Sequence, residues 1–569
     1  MKRETEEARP PARDGRRRFL RAGALAGLGA LSAPALARAG AALSPAEAAL
    51  TPAGESAASA AAFDLEEATA AALQEAMRAG RLTSKRVTEK YLERIEEVDR
   101  RGPALRSVIE VNPEAVEIAE ALDRERRAGR VRGPLHGLPL LIKDNIDTAD
   151  RMLTTAGSLA LVESRPSRDA HVAARLREAG AVIIGKTNLS EWANFRSTRS
   201  SSGWSARGGQ TLNPYALDRN PCGSSSGSGA AVAADLALAA VGTETDGSIV
   251  CPASANGVVG IKPTLGLVSR AGIIPISHSQ DTAGPMARTV ADAALLLTAL
   301  AGPDPRDPAD RARGAAVPPS VFRTDYTRFL DPAALRGARL GVPRKFFGFN
   351  DRVDALMAES LDALKRAGAT LVDPADLPTH GQYDAPEFEV LLYEFKHDLN
   401  RYLAGRGGLG PRTLKELIEF NERNREREMP YFGQELFLRS EAKGPLTEAP
   451  YRAALRKSKL LAAARGIDAA AARHRLDALV APTGGPAWTT DLVNGDHFTG
   501  GSSSPAAVAG YPAVTVPAGF IHGLPVGLTF FGRAFTEGRL IGLAYAFEQL
   551  TKHRRPPRFR PSTAHGAAR

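Results

Sequence analysis

The chain has 569 residues, 43% of them hydrophobic and 24% charged, which is enough apolar material for a large core and too much for a disordered chain. Its formal charge of +10 sits at the ends: residues 1–40 hold nine Lys/Arg against four Asp/Glu, and residues 551–569 hold six Lys/Arg and no acid. The body between them is close to neutral and gives a nucleic-acid-binding class no basic domain to stand on. Two cysteines, Cys222 and Cys251, exclude a disulfide framework and a zinc cluster, and read as small buried side chains rather than as a bridge or a reactive thiol.

In chain order, residues 1–21 are charged and polar and residues 22–37 are mildly apolar. Between them, Arg16-Arg17-Arg18-Phe19-Leu20-Arg21 resembles a twin-arginine export signal, and Ala35-Leu36-Ala37 a cleavage site. The apolar run is too short to span a bilayer comfortably. Residues 1–37 therefore read as a signal that engages the twin-arginine export machinery. The mature protein is expected to be exported, periplasmic or secreted, in a bacterium, without stable membrane insertion. Residues 38–62, nearly all Ala, Ser, Pro, Gly and Glu, read as a linker.

The body then alternates. Residues 64–99 predict two helices, the second with Val87, Tyr91, Ile95 and Val98 on one face and Ser84 as N-cap. Ser107–Val111 predicts a strand, Pro113 opens a helix, Leu138–Lys143 is a strand, Val172–Gly180 a helix and Ala181–Ile184 a buried strand. Gly229–Ala240 predicts an Ala-rich helix, Val258–Ile261 a strand and Val290–Leu300 a helix. Residues 302–320 read as a surface loop, and residues 385–460 as a charged helical segment that covers the site or shapes access to it. Strands return at Ala478–Val480 and Ala513–Val516, and residues 556–569 read as a disordered basic tail. The expected fold is α/β: one large domain over residues 63–555, with a mixed central sheet covered by helices on both faces.

Two motif matches mislead. Gly180-Ala181-Val182-Ile183-Ile184-Gly185-Lys186-Thr187 fits the phosphate-loop pattern letter for letter, but its four middle residues are themselves a strand, so a nucleotide-binding protein is the weaker reading. Gly223-Ser224-Ser225-Ser226-Gly227 fits the nucleophile elbow of the α/β-hydrolases, but a loop precedes it rather than a strand. No two of the ten histidines stand four apart on a helix, so a histidine-pair zinc site is unsupported. There remain a lysine ending an apolar run (Lys143), a Ser-rich loop (Gly223–Ser228) and a Gly-Ser turn (Gly242–Pro252). A base and two hydroxyls beside such a turn suffice for acyl transfer with no metal, cofactor or histidine.

Lys143, Ser224 and Ser248, with Gly185-Lys186-Thr187-Asn188 and the late segments Pro512–Gly519 and Leu524–Leu528, resemble the amidase signature family over roughly residues 64–555. Ser202–Thr211 and Glu244–Pro252 look closest to its bacterial peptide-amidase branch. The resemblance implies a Ser-Ser-Lys triad: Ser248 as acyl nucleophile, Ser224 as the bridging serine after a cis peptide bond, and Lys143 as base. It implies an oxyanion hole from the backbone N–H groups of Thr245, Asp246, Gly247 and Ser248, and neither metal nor cofactor. Many members carry Gly-Gly before the nucleophile where this chain has Asp246-Gly247. A lysine free in water, with a pKa of about 10.4, is a useless base at neutral pH, and burial after an apolar strand is what would lower it.

The expected reaction is hydrolysis of a carboxamide to acid and ammonia through an acyl-Ser248 intermediate. The C-terminal amide of peptides is the leading substrate, with aryl, fatty or other small amides as alternatives, and a catalytically dead amidase-like binding protein as the alternative outside catalysis. Residues 249–256 hold no Lys or Arg, which weakly disfavours acyl groups bearing a carboxylate.

Overall fold

Runs of Val, Ile, Leu and Ala too short for helices pair into one sheet. The computed structural model describes residues 65–307 and 319–563, all within one unit of the chain, Ala60–Arg569. The expected signal and linker, the middle of the 302–320 loop and residues 564–569 lie outside the described residues. The strands are β1 (Val108–Val111), β2 (Pro139–Lys143), β3 (Val182–Thr187), a two-stranded ribbon of β4 (Trp204–Ser205) and β5 (Gly209–Gln210), β6 (Ala239–Glu244), β7 (Val259–Lys262), β8 (Thr282–Ala287), β9 (Arg339–Gly341), β10 (Thr370–Val372), β11 (Ala478–Pro482), β12 (Ala513–Ile521) and β13 (Leu524–Phe531). Leaving out the ribbon, they form an eleven-stranded sheet in the order β1-β3-β2-β6-β8-β7-β12-β13-β11-β9-β10.

The sheet is mixed, as expected. β2 runs parallel to both β3 and β6, while β6 and β8, β7 and β8, and β12 and β13 are antiparallel. Every residue of β2, β3, β6, β8, β11 and β13 is buried, so both faces of these strands are covered, which is why they read as near-continuous apolar runs. Most of their apolar side chains join one core that also takes Leu73, Val87 and Tyr91 from the first two helices and Leu296, Leu540 and Phe547 from later ones, while Leu479, Ala481 and Phe531 join a separate cluster.

One register positions the site. Leu140 pairs with Ala239, Leu141 with Ala240 and Ile142 with Val241, so the carboxyl ends of β2 and β6 lie side by side. Beyond β6 the next strand, β8, is antiparallel. In α/β sheets ligands bind outside the carboxyl ends of the strands.

Several expected boundaries move. Thr83, extended in backbone, is the N-cap and accepts from the N–H of Arg86; Ser84 is the first residue of the helix Ser84–Arg94, and its hydroxyl donates instead to the carbonyl of Gly137 at 2.8 Å. The expected helix 229–240 is two elements, a helix Ser226–Ala233 and then β6. Asp235, at φ +57°, breaks the helix, and the alanines of 239–240 are small enough to pack as a central strand. Residues 556–563 are ordered along the loop 214–219: Leu217 N–H donates to the Arg560 carbonyl at 2.8 Å and Arg219 bonds Thr563 at 2.8 Å. Residues 385–460 are helical, with helices Asp384–Ala404, Leu414–Arg423, Arg425–Glu428, Glu435–Glu441 and Ala449–Ala462. Leu399, Leu417 and Phe437 of this segment build a second core with Trp192, Phe195 and Ile276.

The phosphate-loop match fails structurally. β3 runs through Gly185, Lys186 and Thr187, and the Lys186 ammonium is fully buried, donating to the Ile146 carbonyl at 2.6 Å and to the Thr154 hydroxyl at 2.8 Å. Gly185 is needed for packing, because a Cβ there would lie 2.5 Å from the carbonyl oxygen of Glu110 on β1. Gly185→Ala is expected to destabilise the fold by about 1–3 kcal/mol through this overlap. Urea denaturation checks it, and an unchanged midpoint would contradict the close approach.

Candidate active site

Lys143 is the last residue of β2 and has no exposed surface. Its ammonium donates to the hydroxyls of Ser224 at 2.8 Å, Ser225 at 3.0 Å and Thr243 at 2.9 Å, with the Thr243 carbonyl at 3.3 Å. Every one of these partners is neutral. Burial pulls the amine down from 10.5 to about 7, against the weaker upward pull of the Glu244 and Asp281 carboxylates. Asn145, two residues on, donates to the Thr243 hydroxyl at 3.0 Å and holds that acceptor in place.

The two serine segments meet beside this amine. Ser224 follows a cis peptide bond from Gly223, as the family resemblance implies, and its carbonyl accepts from Ser190 N–H at 3.1 Å. Ser225, the serine of the rejected elbow pattern, is tied to the same amine. Its hydroxyl donates to the Thr243 carbonyl at 3.0 Å and accepts from Lys143 and from Thr243 N–H at 3.2 Å, and its own N–H donates to the carbonyl of Ser248 at 3.1 Å. Ser224 and Ser225 are fully buried, while Ser248 keeps 9% of its surface exposed.

Ser248 lies in the turn that links β6 to the helix Val250–Ala255. Gly247 takes φ +78°, so the one residue of the turn that must be left-handed is the glycine, and the Asp246 that departs from the common Gly-Gly pattern does not have to adopt it. Among the described residues no acceptor is bonded to the N–H groups of Thr245, Asp246, Gly247 or Ser248. Four free donors around one turn form a concavity suited to an anionic oxygen.

Charged side chains brace the turn from behind. The Glu244 carboxylate accepts from the N–H groups of Ile249 at 2.8 Å and Val250 at 3.1 Å, at the start of the following helix. Thr245 donates its hydroxyl to Asp281 at 2.6 Å, and Asp281 in turn accepts from the N–H groups of Ile276 and Ser277, both at 2.8 Å. Burial raises the Asp281 carboxyl to about 6 despite those bonds. Gln280 spans from the Thr245 carbonyl at 3.4 Å to Glu387 at 2.7 Å, on the helix Asp384–Ala404. Asp246 accepts from the hydroxyl of Ser503, and burial holds its carboxyl above the usual range.

The chain thus brings together Lys143, Ser224 and the turn Thr245–Ser248, all read from sequence. Thr243 stood inside the quoted Gly-Ser turn and Asn145 two residues beyond the apolar strand, yet their roles went unread. Gln280, Asp281, Glu387 and Ser503 carry no local signature, since each reaches the turn from a separate segment.

The cysteines correct the sequence reading: Cys222 and Cys251 form a disulfide, with Cα atoms 6.0 Å apart. Separation along the chain hid it, because the pairing depends on the two serine loops meeting. Among the described residues one group, His278, His397 and Asp398, brings metal-ligating atoms within 4.8 Å of one another. These are bonded to each other, with His278 Nδ1 at 2.8 Å and His397 Nδ1 at 2.9 Å from the Asp398 carboxylate.

Comparison with known proteins gives the family. A family model described as Amidase matches residues 86–541. A probable amidase of Arabidopsis thaliana is 44% identical over 505 residues, covering 87% of this chain and 92% of the relative. The solved structure of native peptide amidase from Stenotrophomonas maltophilia is 55% identical, with a TM-score of 0.82 over 87% of this chain and 99% of that one. A structure of the peptide amidase PAM with the competitive inhibitor chymostatin is likewise 55% identical, with a TM-score of 0.84 over 87% of this chain and all of that one. The chain belongs to the amidase family, the amidase signature family that its lysine, serine and glycine motifs resemble.

Proposed function

We propose that this amidase hydrolyses the C-terminal carboxamide of peptides, releasing ammonia, by a Ser-Ser-Lys mechanism. The observation that carries the reading is the Lys143 amine, dehydrated and bonded only to neutral groups, one of them the Ser224 hydroxyl. In the neutral form it takes a proton from Ser224 as Ser224 takes one from Ser248, and the Ser248 oxygen attacks the amide carbonyl. The carbonyl oxygen gains its negative charge facing the N–H groups of Thr245–Ser248. The proton then returns to the leaving nitrogen, ammonia departs, and water hydrolyses the acyl-Ser248 ester by the same path.

The peptide-amide substrate is supported by the 55% identity to peptide amidases over most of both chains. Near the turn, no cation stands within residues 249–256 to select an acidic acyl group. The helical segment 385–460 lies over the approach and shapes it in this reading. Its Phe432 packs edge-on against Trp204, with ring centroids 5.2 Å apart, in the segment that looks closest to the peptide-amidase branch. Export by the twin-arginine route completes the proposal.

Ser248→Ala is expected to abolish ammonia release from a peptide amide while circular dichroism and melting stay those of the parent, since the change removes one atom. Ser225→Ala is expected to slow turnover without abolishing it, through the lost bond to Lys143. The reverse ranking would return the nucleophile to the elbow reading.

Activity is expected to fall about tenfold per pH unit below pH 7 as Lys143 gains its proton, and Lys143→Ala to lose about 10²–10⁴ in kcat. A flat rate down to pH 5, or an active Lys143→Ala enzyme, would remove lysine from the mechanism.

Replacing Arg16 and Arg17 together by lysine keeps charge and apolar run, yet is expected to leave folded enzyme in the cytoplasm, because the exporter reads the arginine pair as an address. Amidase activity of periplasmic and cytosolic fractions, both assayed after thiol oxidation, decides, and normal export of the Lys-Lys form would rule the signal out.

A further inference from the structure

The disulfide joins the loop that carries Ser224 to the helix Val250–Ala255, which follows directly on Ser248. Cys222 stands two residues before Ser224, and Cys251 three residues after Ser248. The backbone bond from Ser225 N–H to the Ser248 carbonyl, at 3.1 Å, links the same two segments from the opposite side of the serines. Asn256 ties the outer ends, donating to the carbonyls of Pro221 at 2.9 Å and Pro252 at 2.7 Å. The sulfur bridge is the one covalent member of this set.

The backbone at Cys222 supplies an independent reason to give the bridge a task. Cys222 sits at φ +57°, the left-handed region where glycine is at ease and a residue with a Cβ is not. Its own N–H is held by the Asn220 side chain at 2.8 Å, which fixes the turn whatever the residue is. A cysteine at a position whose backbone favours glycine is accounted for by what its sulfur reaches. That sulfur is buried, while Cys251 keeps part of its surface open to solvent.

We propose that Cys222 and Cys251 are positioning residues for the reaction, and that their disulfide holds the Ser224 loop against the Ser248 turn, so that turnover depends on its being oxidised. This rests on the amidase reading for what the two serines do. When the bridge is cut, the loops keep hydrogen bonds alone, the spacing of the two hydroxyls widens, and a small misplacement of reacting groups carries a large penalty in rate. Lys143 stays where it is, buried at the end of β2, so the pH at which it titrates does not move. The bridge forms where disulfides persist, in an oxidising compartment.

The cut is a two-electron exchange. A dithiol reagent gives two electrons and two protons to the Cys222–Cys251 bond and leaves as its own cyclic disulfide, so two protein thiols replace one S–S bond. The test compares oxidised and dithiothreitol-reduced enzyme, thiols counted by mass spectrometry after alkylation, for ammonia release from a peptide amide and for labelling of the reactive serine by a fluorophosphonate. Reduction is expected to lower kcat ten- to a hundredfold with KM within twofold. It should slow labelling in step, leave the acid limb of the pH profile in place and be reversed by reoxidation. The Cys222→Ala/Cys251→Ala enzyme is expected to match the reduced form and to ignore dithiothreitol.

Full kcat and full labelling in the reduced enzyme overturn the proposal, even if melting falls, because a bridge that only stabilises would move the melting point and not the rate at 25 °C. Far-ultraviolet circular dichroism at the assay temperature separates a lost fold from a misplaced site, and a reduced enzyme that has unfolded also counts against positioning. If neither form releases ammonia while labelling still responds to reduction, the amidase reading fails and the positioning role stands.

Discussion

Removal of water from one lysine amine organises this molecule. A charged ammonium at the end of a central strand would need carboxylates or water around it, and Lys143 has three hydroxyls and a carbonyl instead. Those partners accept from the amine with no formal charge, so they favour its positive form only weakly. Two other lysines, Lys186 on β3 and Lys262 on β7, are as deeply buried and are also held below the usual range by burial. The surroundings of Lys186 include Asp144 and Asp147, and those of Lys262 include Glu244 and Glu537. What distinguishes Lys143 is that its hydroxyl partners include Ser224 and Ser225, the latter bonded through its N–H to the Ser248 carbonyl.

The sheet makes that circle possible. Parallel pairing of β2 with β6 puts Lys143 next to Thr243, and the Ser loop enters above them before turning into the helix Ser226–Ala233. The turn after β6 then presents its N–H groups because Gly247 turns left-handed and Glu244, from behind, takes the N–H groups that begin the next helix. Lys143 and the turn Thr245–Ser248 are thus fixed to two neighbouring strand ends, and Ser224 to the loop that opens a helix. A site built on rigid elements keeps its geometry within the narrow limits that proton transfer demands.

Much of this was legible in the sequence, and the reasons for the rest are physical. The strand into Lys143 is apolar on both faces and announces itself. The glycines around Ser224 and Ser248 announce turns. By contrast, Ala239-Ala240 reads as helix because alanine favours helices locally, and only the tight fit between β2 and β8 makes it a strand. Asp281 and Gln280 were invisible because their meaning lies in Thr245, some 35 residues away in sequence. Cys222 and Cys251, 29 residues apart, were read as separate for the same reason. Local composition reports what a residue prefers, and pairing across the sheet decides whom it meets.

Keeping Lys143 neutral also shapes how the fold answers to acidity. In the folded enzyme the amine releases its proton near pH 7, whereas in the unfolded chain it does so near about 10.4. Between those values the unfolded chain binds more protons, so this group makes the fold more stable as pH rises. Buried carboxyls pull the other way. Asp147 and Asp281 keep their protons to about 6 and Glu548 to about 7, against about 4 once unfolded, so their contribution declines as pH climbs through that lower range. The two slopes meet close to neutrality. There these four groups together lend the fold least, and there, in the proposed mechanism, the lysine first becomes a base.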